Sequence, residues 1–159
     1  MNKKIIFSGG GTGGHIFPAI NLMKHFFDKG HRVILVTDNR GNNFIKNYSG
    51  FKSYALSAWT PTNKNLFKKF FSYFLIFYSI VRSILILKKE RPNLIFGFGG
   101  YVSFPISFAS RFFNLPLVIY ENNMVLGRTN KYLSSFSKKI LLAKKTKKNF
   151  PEKYKSKTY

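Results

Sequence analysis

The stretch "IIFSGGGTGGHIFPAI", residues 5–20, decides how this chain is read. A short apolar run ends at Ser8, six small residues follow from Gly9 to Gly14, and His15 comes directly after them. Glycines between a strand and a helix start leave backbone N–H groups bare, and such groups at the positive end of a helix dipole hold anions, phosphate above all. Two kinds of phosphate loop share that physics. The spacing Gly9-x-Gly11-x-x-Gly14 fits the dinucleotide fingerprint, and Asp38 ends the next strand, "RVILVTD", at a suitable distance. A Walker-type loop needs Gly-Lys-Ser/Thr at its end; this one ends Gly13-Gly14-His15, which argues against ATP binding of that kind.

Outward from this stretch the chain alternates between short apolar runs and helical segments. A helix is expected over about 15–29, with Pro18 in its first turn and Gly30 at its end. The strand "HRVILVTD" follows, then a weaker one, "KSYALSA" (52–58), and a long helix over about 65–90. The strand "LIFGF" (94–98) runs into a second glycine turn, Gly99-Gly100, and a helix to about Asn114. "PLVIYE" (116–121), the polar loop "NNMVLGR", a helix near 129–136 and the strand "KKILLA" (138–143) complete the series. Apolar strands bounded by Gly or Pro and alternating with helices predict an α/β fold, a doubly wound parallel sheet.

Composition bounds the function classes. With 159 residues, 45% hydrophobic and 18% aromatic, the chain is about one domain long and can bury a sizeable core. Cysteine is absent, which removes disulfides, thiolate metal sites and cysteine nucleophiles, and His15, His25 and His31 show no metal-ligand spacing. "MNKKIIF" starts like a signal peptide, but its apolar run stops too early to be one. Twenty-seven Lys and Arg against five Asp and Glu give a net charge of +22, which points to a polyanion nearby, a nucleic acid or an anionic membrane, or in part to a low-GC genome whose codons favour Lys. Nine of the lysines fall within 138–159, and "KKTKKNFPEKYKSKTY" has no periodic apolar face, so it reads as a solvated tail or linker.

In a doubly wound sheet the loops leaving the strand C-termini open on one edge, where ligands bind. Three of them are unusual here: "GGGTGGH" (9–15), "GFGGYVS" (97–103) and "ENNMVLGRTN" (121–130). On these three segments, in this order, the chain resembles the N-terminal half of glycosyltransferase family 28, the inverting transferases that add N-acetylglucosamine to lipid I in peptidoglycan synthesis. The resemblance implies a Rossmann-like N-terminal domain of a GT-B enzyme, whose two domains face each other across a cleft. It implies a lipid-linked acceptor held by this half and UDP-N-acetylglucosamine held mainly by the other, with transfer to the C4 hydroxyl of the muramic acid unit and neither cofactor nor metal.

Residue by residue, the resemblance assigns Thr12, Gly13, Gly14 and Asn123 to the nucleotide-sugar site. His15 at a helix start, where the dipole favours a neutral ring, is a candidate general base, and Glu121 at a strand end is the other. Gly99, Gly100 and Tyr101 form a turn whose aromatic ring suits a sugar or lipid head group. Departures are visible as well. Tyr120 stands where the family usually has His, Asn122 where it has Gln, and Phe104 and Ile106 replace small residues.

The long helix carries "FFSYFLIFYSIVRSILIL" over 70–87, with Arg82 its one charge. That is near bilayer length, yet Ser72, Ser79 and Ser83 align in a polar stripe and the segment must cross between two strands. The expectation is a helix buried on one side, with Phe70, Phe71, Phe74 and Phe77 facing a membrane and lysines 64, 68, 69, 88 and 89 flanking it. The implied location is peripheral, on the cytoplasmic face of the bacterial inner membrane, with lipid I and the anionic surface as partners.

The expected organisation is an acceptor-binding domain over 1–143 and a basic tail or truncated linker over 144–159. The C-terminal donor domain of the family has no counterpart in these residues: the expectation is a truncated chain, a chain completed by a separate donor-domain polypeptide, or a decayed gene product, inactive without a donor-binding half. The competing reading is a non-catalytic basic Rossmann module binding dinucleotide or nucleic acid. Asp38 is its best feature, and the "GFGGY" and "ENN" loops are what it leaves unexplained. Nucleic acid is not the expected partner.

Overall fold

The computed structural model describes residues 2–45, 50–57, 66–143 and 152–158. The order of elements is β1 (Lys4–Ser8), α1 (Gly13–Asp28), β2 (Arg32–Thr37), α2 (Asn39–Ile45), β3 (Lys52–Ala55), α3 (Leu66–Glu90), β4 (Leu94–Gly97), α4 (Gly100–Ala109), β5 (Leu117–Glu121), α5 (Arg128–Leu133) and β6 (Lys139–Leu142). All strand pairings are parallel, in the order β3-β2-β1-β4-β5-β6. The fold is the doubly wound α/β sheet that the alternation predicts.

The strands read as unbroken apolar runs because both faces of the sheet are covered. Alternation within β1 shows this directly: Ile6 enters one core with Ile34, Ile95, Ile119 and Ile140, while Ile5 and Phe7 enter the other with Leu35, Phe96 and Phe98. The first core is closed by residues of α3, α4 and α5, among them Ile86, Ile106 and Leu133; the second is closed by Ile16, Ile20 and Met23 of α1. Each fully buried Ile, Leu or Phe contributes about 1.5–3 kcal/mol relative to exposure.

Strand order reverses at β1, which has β2 on one side and β4 on the other. The loops leaving β1 and β4 therefore part at a topological switch point, where this architecture opens a crevice. The two glycine turns leave these two strands.

α3 is built inside out. Ser72, Ser79, Ser83 and Glu90 are buried, whereas Phe70, Phe71, Phe74, Phe77 and Leu85 are exposed, Phe70 by 77%. The stripe packs toward α4, whose own Ser103 and Ser107 are buried, as is Ser110 just after it. Small side chains let the two backbones approach, and two of the α3 hydroxyls are satisfied internally: Ser79 donates to the Ser57 carbonyl and Ser83 to that of Ser79. At the other end of the sheet Glu90 accepts from Lys4, Lys52 and the Tyr54 hydroxyl, tying α3 to β1 and β3.

Three details depart from the sequence expectations. α2 was not foreseen; Asp38 caps it, accepting the Gly41 amide at 2.9 Å. The strand expected to run to residue 58 ends at Ala55, and Ala58 lies outside the described residues. The basic end of the chain is not wholly a solvated tail: Glu152–Lys157 forms a 3₁₀ turn, Tyr154 is 8% exposed against the first core, and Thr158 bridges in parallel to Ile140. An aromatic ring can be buried there although its neighbours are lysines, because burial needs one side chain and not a periodic face. Residues 144–151 and Lys64 lie outside the described residues, as do the side chains of Lys68 and Lys69.

Candidate active site

The glycine loop is shaped by what it must avoid. A Cβ on Gly9 would lie 2.9 Å from the His15 carbonyl oxygen, and one on Gly10 would lie 2.8 Å from Thr37 Oγ1, so the loop folds against its own helix and against β2. At Gly14, by contrast, a Cβ would meet nothing nearer than Thr12 Oγ1 at 3.9 Å. Thr12 is extended and its carbonyl accepts the amides of His15 at 3.1 Å and Ile16 at 3.2 Å. The amides of Gly13 and Gly14 belong to the first turn and have no acceptor within the helix, which is the arrangement that receives an anion.

His15 is half-buried and its ring lies along the second glycine turn. A Cβ on Gly99 would lie 3.3 Å from His15 Cε1 and 3.1 Å from Asn130 Nδ2; one on Gly100 would lie 3.3 Å from both His15 Cδ2 and the Gly10 carbonyl oxygen. Both residues also have positive φ, +82° and +74°. The turn is glycine for two reasons at once, its backbone conformation and the space that the imidazole and Asn130 occupy.

Glu121 ends β5 and is 1% exposed. Its Oε1 accepts the backbone amide of Asn123 at 3.0 Å and Asn123 Nδ2 at 2.9 Å; its Oε2 accepts the Gly127 amide at 2.9 Å and Asn130 Nδ2 at 3.0 Å. A carboxylate with both oxygens doubly engaged is a good template for a loop. It folds 121–127 back on itself and leaves Asn123 exposed at the rim.

Two adjoining pockets result. One, of ≈ 170 Å³, is lined by His15, Gly99, Tyr101, Glu121, Asn123 and Asn130, among others. The other, of ≈ 380 Å³, is lined by Gly10, Gly11, Thr12, Asp38, Arg40 and again His15, among others. His15, Gly100 and Tyr101 belong to both. Of the residues singled out from sequence, His15, Gly99, Gly100, Tyr101, Glu121 and Asn123 come together in the first pocket and Thr12 in the second; Gly13 and Gly14 sit at the adjoining helix start and line neither. Asn130 and Arg40 were not singled out. An Asn in the first turn of a helix, nine positions after a strand-terminal acid, is the signal that was available for Asn130. A larger cavity of ≈ 560 Å³ opens at the opposite sheet edge beside Lys4, Lys52 and Glu90, but neither glycine turn reaches it, so size alone does not mark the site.

An open parallel sheet with two glycine turns meeting around one histidine at its switch point is a Rossmann-like domain with a ligand site at the carboxyl edge of its strands. The chain belongs to glycosyltransferase family 28: the model of the "Glycosyltransferase family 28 N-terminal domain" matches residues 5–142. It is 39% identical over 155 residues to the "UDP-N-acetylglucosamine--N-acetylmuramyl-(pentapeptide) pyrophosphoryl-undecaprenol N-acetylglucosamine transferase" of Rickettsia felis, covering 98% of this chain and 42% of that protein. It is 36% identical to the protein of the same name from Pelagibacter ubique, covering 99% of this chain and 43% of that one. Among solved structures, Acinetobacter baumannii MurG superposes with a TM-score of 0.83 at 28% identity, over 98% of this chain and 44% of MurG. The chain thus spans less than half the length of the relatives it matches.

The competing reading as a dinucleotide module is not favoured by the family match, although Asp38 does line the pocket of the first glycine loop. One carboxylate oxygen of Asp38 caps α2, and both unexplained loops belong to the pockets around His15.

Proposed function

We propose that these residues form the acceptor half of a transferase that moves N-acetylglucosamine from UDP-N-acetylglucosamine to the C4 hydroxyl of the muramic acid unit of lipid I, yielding lipid II for the cell wall. The observation that carries the reading is the position of His15, shared by two pockets and walled by both glycine turns. His15 takes the proton of the C4 hydroxyl; the freed oxygen attacks the anomeric carbon of the donor from the face opposite UDP, the bond to the diphosphate breaks, and the configuration inverts. The Gly13 and Gly14 amides, with Thr12, face the diphosphate and meet the charge that develops on it. Asn123 contacts the donor, Tyr101 packs on a sugar, and Glu121 positions the loop that carries Asn123. No metal enters the scheme.

The donor's uridine needs a second half, supplied by a continuation of the chain or by a separate donor-domain polypeptide. The boundary with that half is taken beyond residue 143, since Tyr154 packs on the first core and Thr158 bridges to Ile140. The exposed aromatic side of α3, with Lys88 and Lys89 beside it and a net charge of +22 on the chain, supports peripheral attachment to an anionic membrane on the cytoplasmic face, where the lipid-linked acceptor presents its head group. Phe70–Glu90 is long and apolar enough to cross a membrane, but its serine side is built into the domain, which favours shallow insertion.

The test is turnover of lipid I and UDP-N-acetylglucosamine by the 159-residue chain with and without a donor-binding half from a relative. Product only with both parts supports the proposal. Turnover by the chain alone removes the need for a second half, and no product from a complex shown to bind both substrates removes the assignment.

A further inference from the structure

Two buried polar atoms of the site have no hydrogen-bond partner: His15 Nδ1 and Asn130 Oδ1. They flank the same point. A Cβ placed on Gly99 would lie 3.3 Å from His15 Cε1, the carbon bonded to Nδ1, and 3.5 Å from Asn130 Oδ1. Asn130 is 1% exposed, so its oxygen has no recourse to bulk water, and an unmet buried acceptor is costly.

The orientation of the Asn130 amide is forced by its neighbours. Its nitrogen donates to the Tyr120 carbonyl at 3.0 Å and to Glu121 Oε2 at 3.0 Å. Both partners are acceptors, a carbonyl and a carboxylate, so turning the amide over would set oxygen against oxygen twice. Oδ1 must therefore point the other way, toward the wall it shares with His15. An amide oxygen only accepts. Whatever satisfies it has to be a donor, and the donor that the histidine ring can offer is an N–H.

We infer that Asn130 is a positioning residue: anchored by Glu121, it accepts the Nδ1–H of His15 after a small turn of the ring that pairs these two unmet atoms, and so leaves Nε2 as the unprotonated nitrogen of the ring. This deepens the proposed function and rests on it for its catalytic meaning, because a neutral imidazole can act as base only through the nitrogen that lacks the proton. It also gives Glu121 a second task besides folding its loop. The acid holds the amide, the amide holds the ring, and the ring meets the substrate; none of the three needs to change protonation except His15.

The inference is tested without catalysis, on the ¹⁵N-labelled 159-residue chain by long-range ¹H–¹⁵N correlation above the pH at which its histidines are charged. The resonances of His15 are identified by their loss in His15→Gln. The expected result is a neutral His15 with the proton on Nδ1, preferred by about tenfold, the ratio that one hydrogen bond of ordinary net strength sets. In Asn130→Ala, folded as judged by its backbone spectrum, the preference should fall by about that factor. A parent His15 that carries its proton mainly on Nε2 overturns the inference, as does a folded Asn130→Ala with an unchanged ratio. Where Asn130→Ala does not fold, the parent ratio decides alone. Failure of the transferase assay with the proton on Nδ1 counts against the functional reading and leaves the positioning role standing; an active enzyme with the proton on Nε2 does the reverse.

Discussion

Gly127 donates its backbone amide to Glu121 Oε2 at 2.9 Å, so the residue that opens the third loop also closes it. Asn123 holds the other carboxylate oxygen through both its backbone and its side chain. In Glu121→Gln the new NH₂ faces two N–H donors whichever way the amide turns, and two hydrogen bonds are lost. We expect a loss of about 1–3 kcal/mol, read as a lower denaturation midpoint in urea. An unchanged midpoint would show that the four contacts do not hold the loop.

His15 should behave differently. Its ring adds little to either core, so His15→Ala should fold with a near-parental midpoint while kcat in an assembled enzyme falls by about 10²–10⁴-fold, the usual share of a positioned base, with a smaller change in KM. Near-normal kcat in this variant together with inactive but folded Glu121→Gln would transfer the proton-accepting role to the acid.

The outward face of α3 offers a third measurement. Binding to vesicles containing anionic lipid should weaken with added salt and persist in part, because the lysines act over a screened distance and the aromatic side chains do not. Phe74 and Phe77 are 59% and 64% exposed, so replacing both with Ser should lower vesicle binding and leave the fold unchanged. Resistance of the membrane-bound chain to alkaline carbonate would instead mean a spanning helix, and no binding at any salt would remove the membrane from the scheme.

The fourth concerns acid. Burial alone would push the Glu90 carboxyl up, but hydrogen bonds from Lys52, Tyr54 and Lys4 outweigh it and hold the group at about 2, below its ordinary 4.5. A depressed carboxyl stabilises the fold fully above its unfolded value, and that contribution is lost as pH falls from about 4.5 through about 2. Glu90→Gln should cost on the order of 1–2 kcal/mol at pH 7 and flatten the acid limb of a stability–pH curve. An acid limb of the same steepness in the variant would assign acid sensitivity to other groups.

The sheet was legible because its strands are buried on both faces, so "KIIFS", "RVILVT" and "LVIYE" announce themselves as runs bounded by Gly, Pro or a polar turn. α2 was not, since "NRGNNFI" carries no apolar face and one strong helix former, Arg40, among Asn and Gly, and its cap, Asp38, was already claimed by a motif. The serine stripe of α3 was visible as a pattern and the phenylalanines opposite it were expected outside, where they are; that the serines lie against α4 is a tertiary contact that hydropathy does not carry. His15 and the glycine turns stood out locally. Asn130 did not: its distance from a strand-terminal acid is a weak signal, and its place depends on a loop folding back onto Glu121.

Glu90 and Glu121 are the two buried acids of the chain's described residues, and they sit at opposite ends of the strands, one beside the first residues of β1 and β3, the other at the last residue of β5. Strands of this length separate such ends by roughly 15 Å, beyond the range over which substitutions couple. Glu90→Gln and Glu121→Gln should then add in a double variant to within a few tenths of a kcal/mol. The practical meaning is evolutionary: with little epistasis between the two edges, selection can retune the robustness of the scaffold at one end while substrate preference drifts at the other.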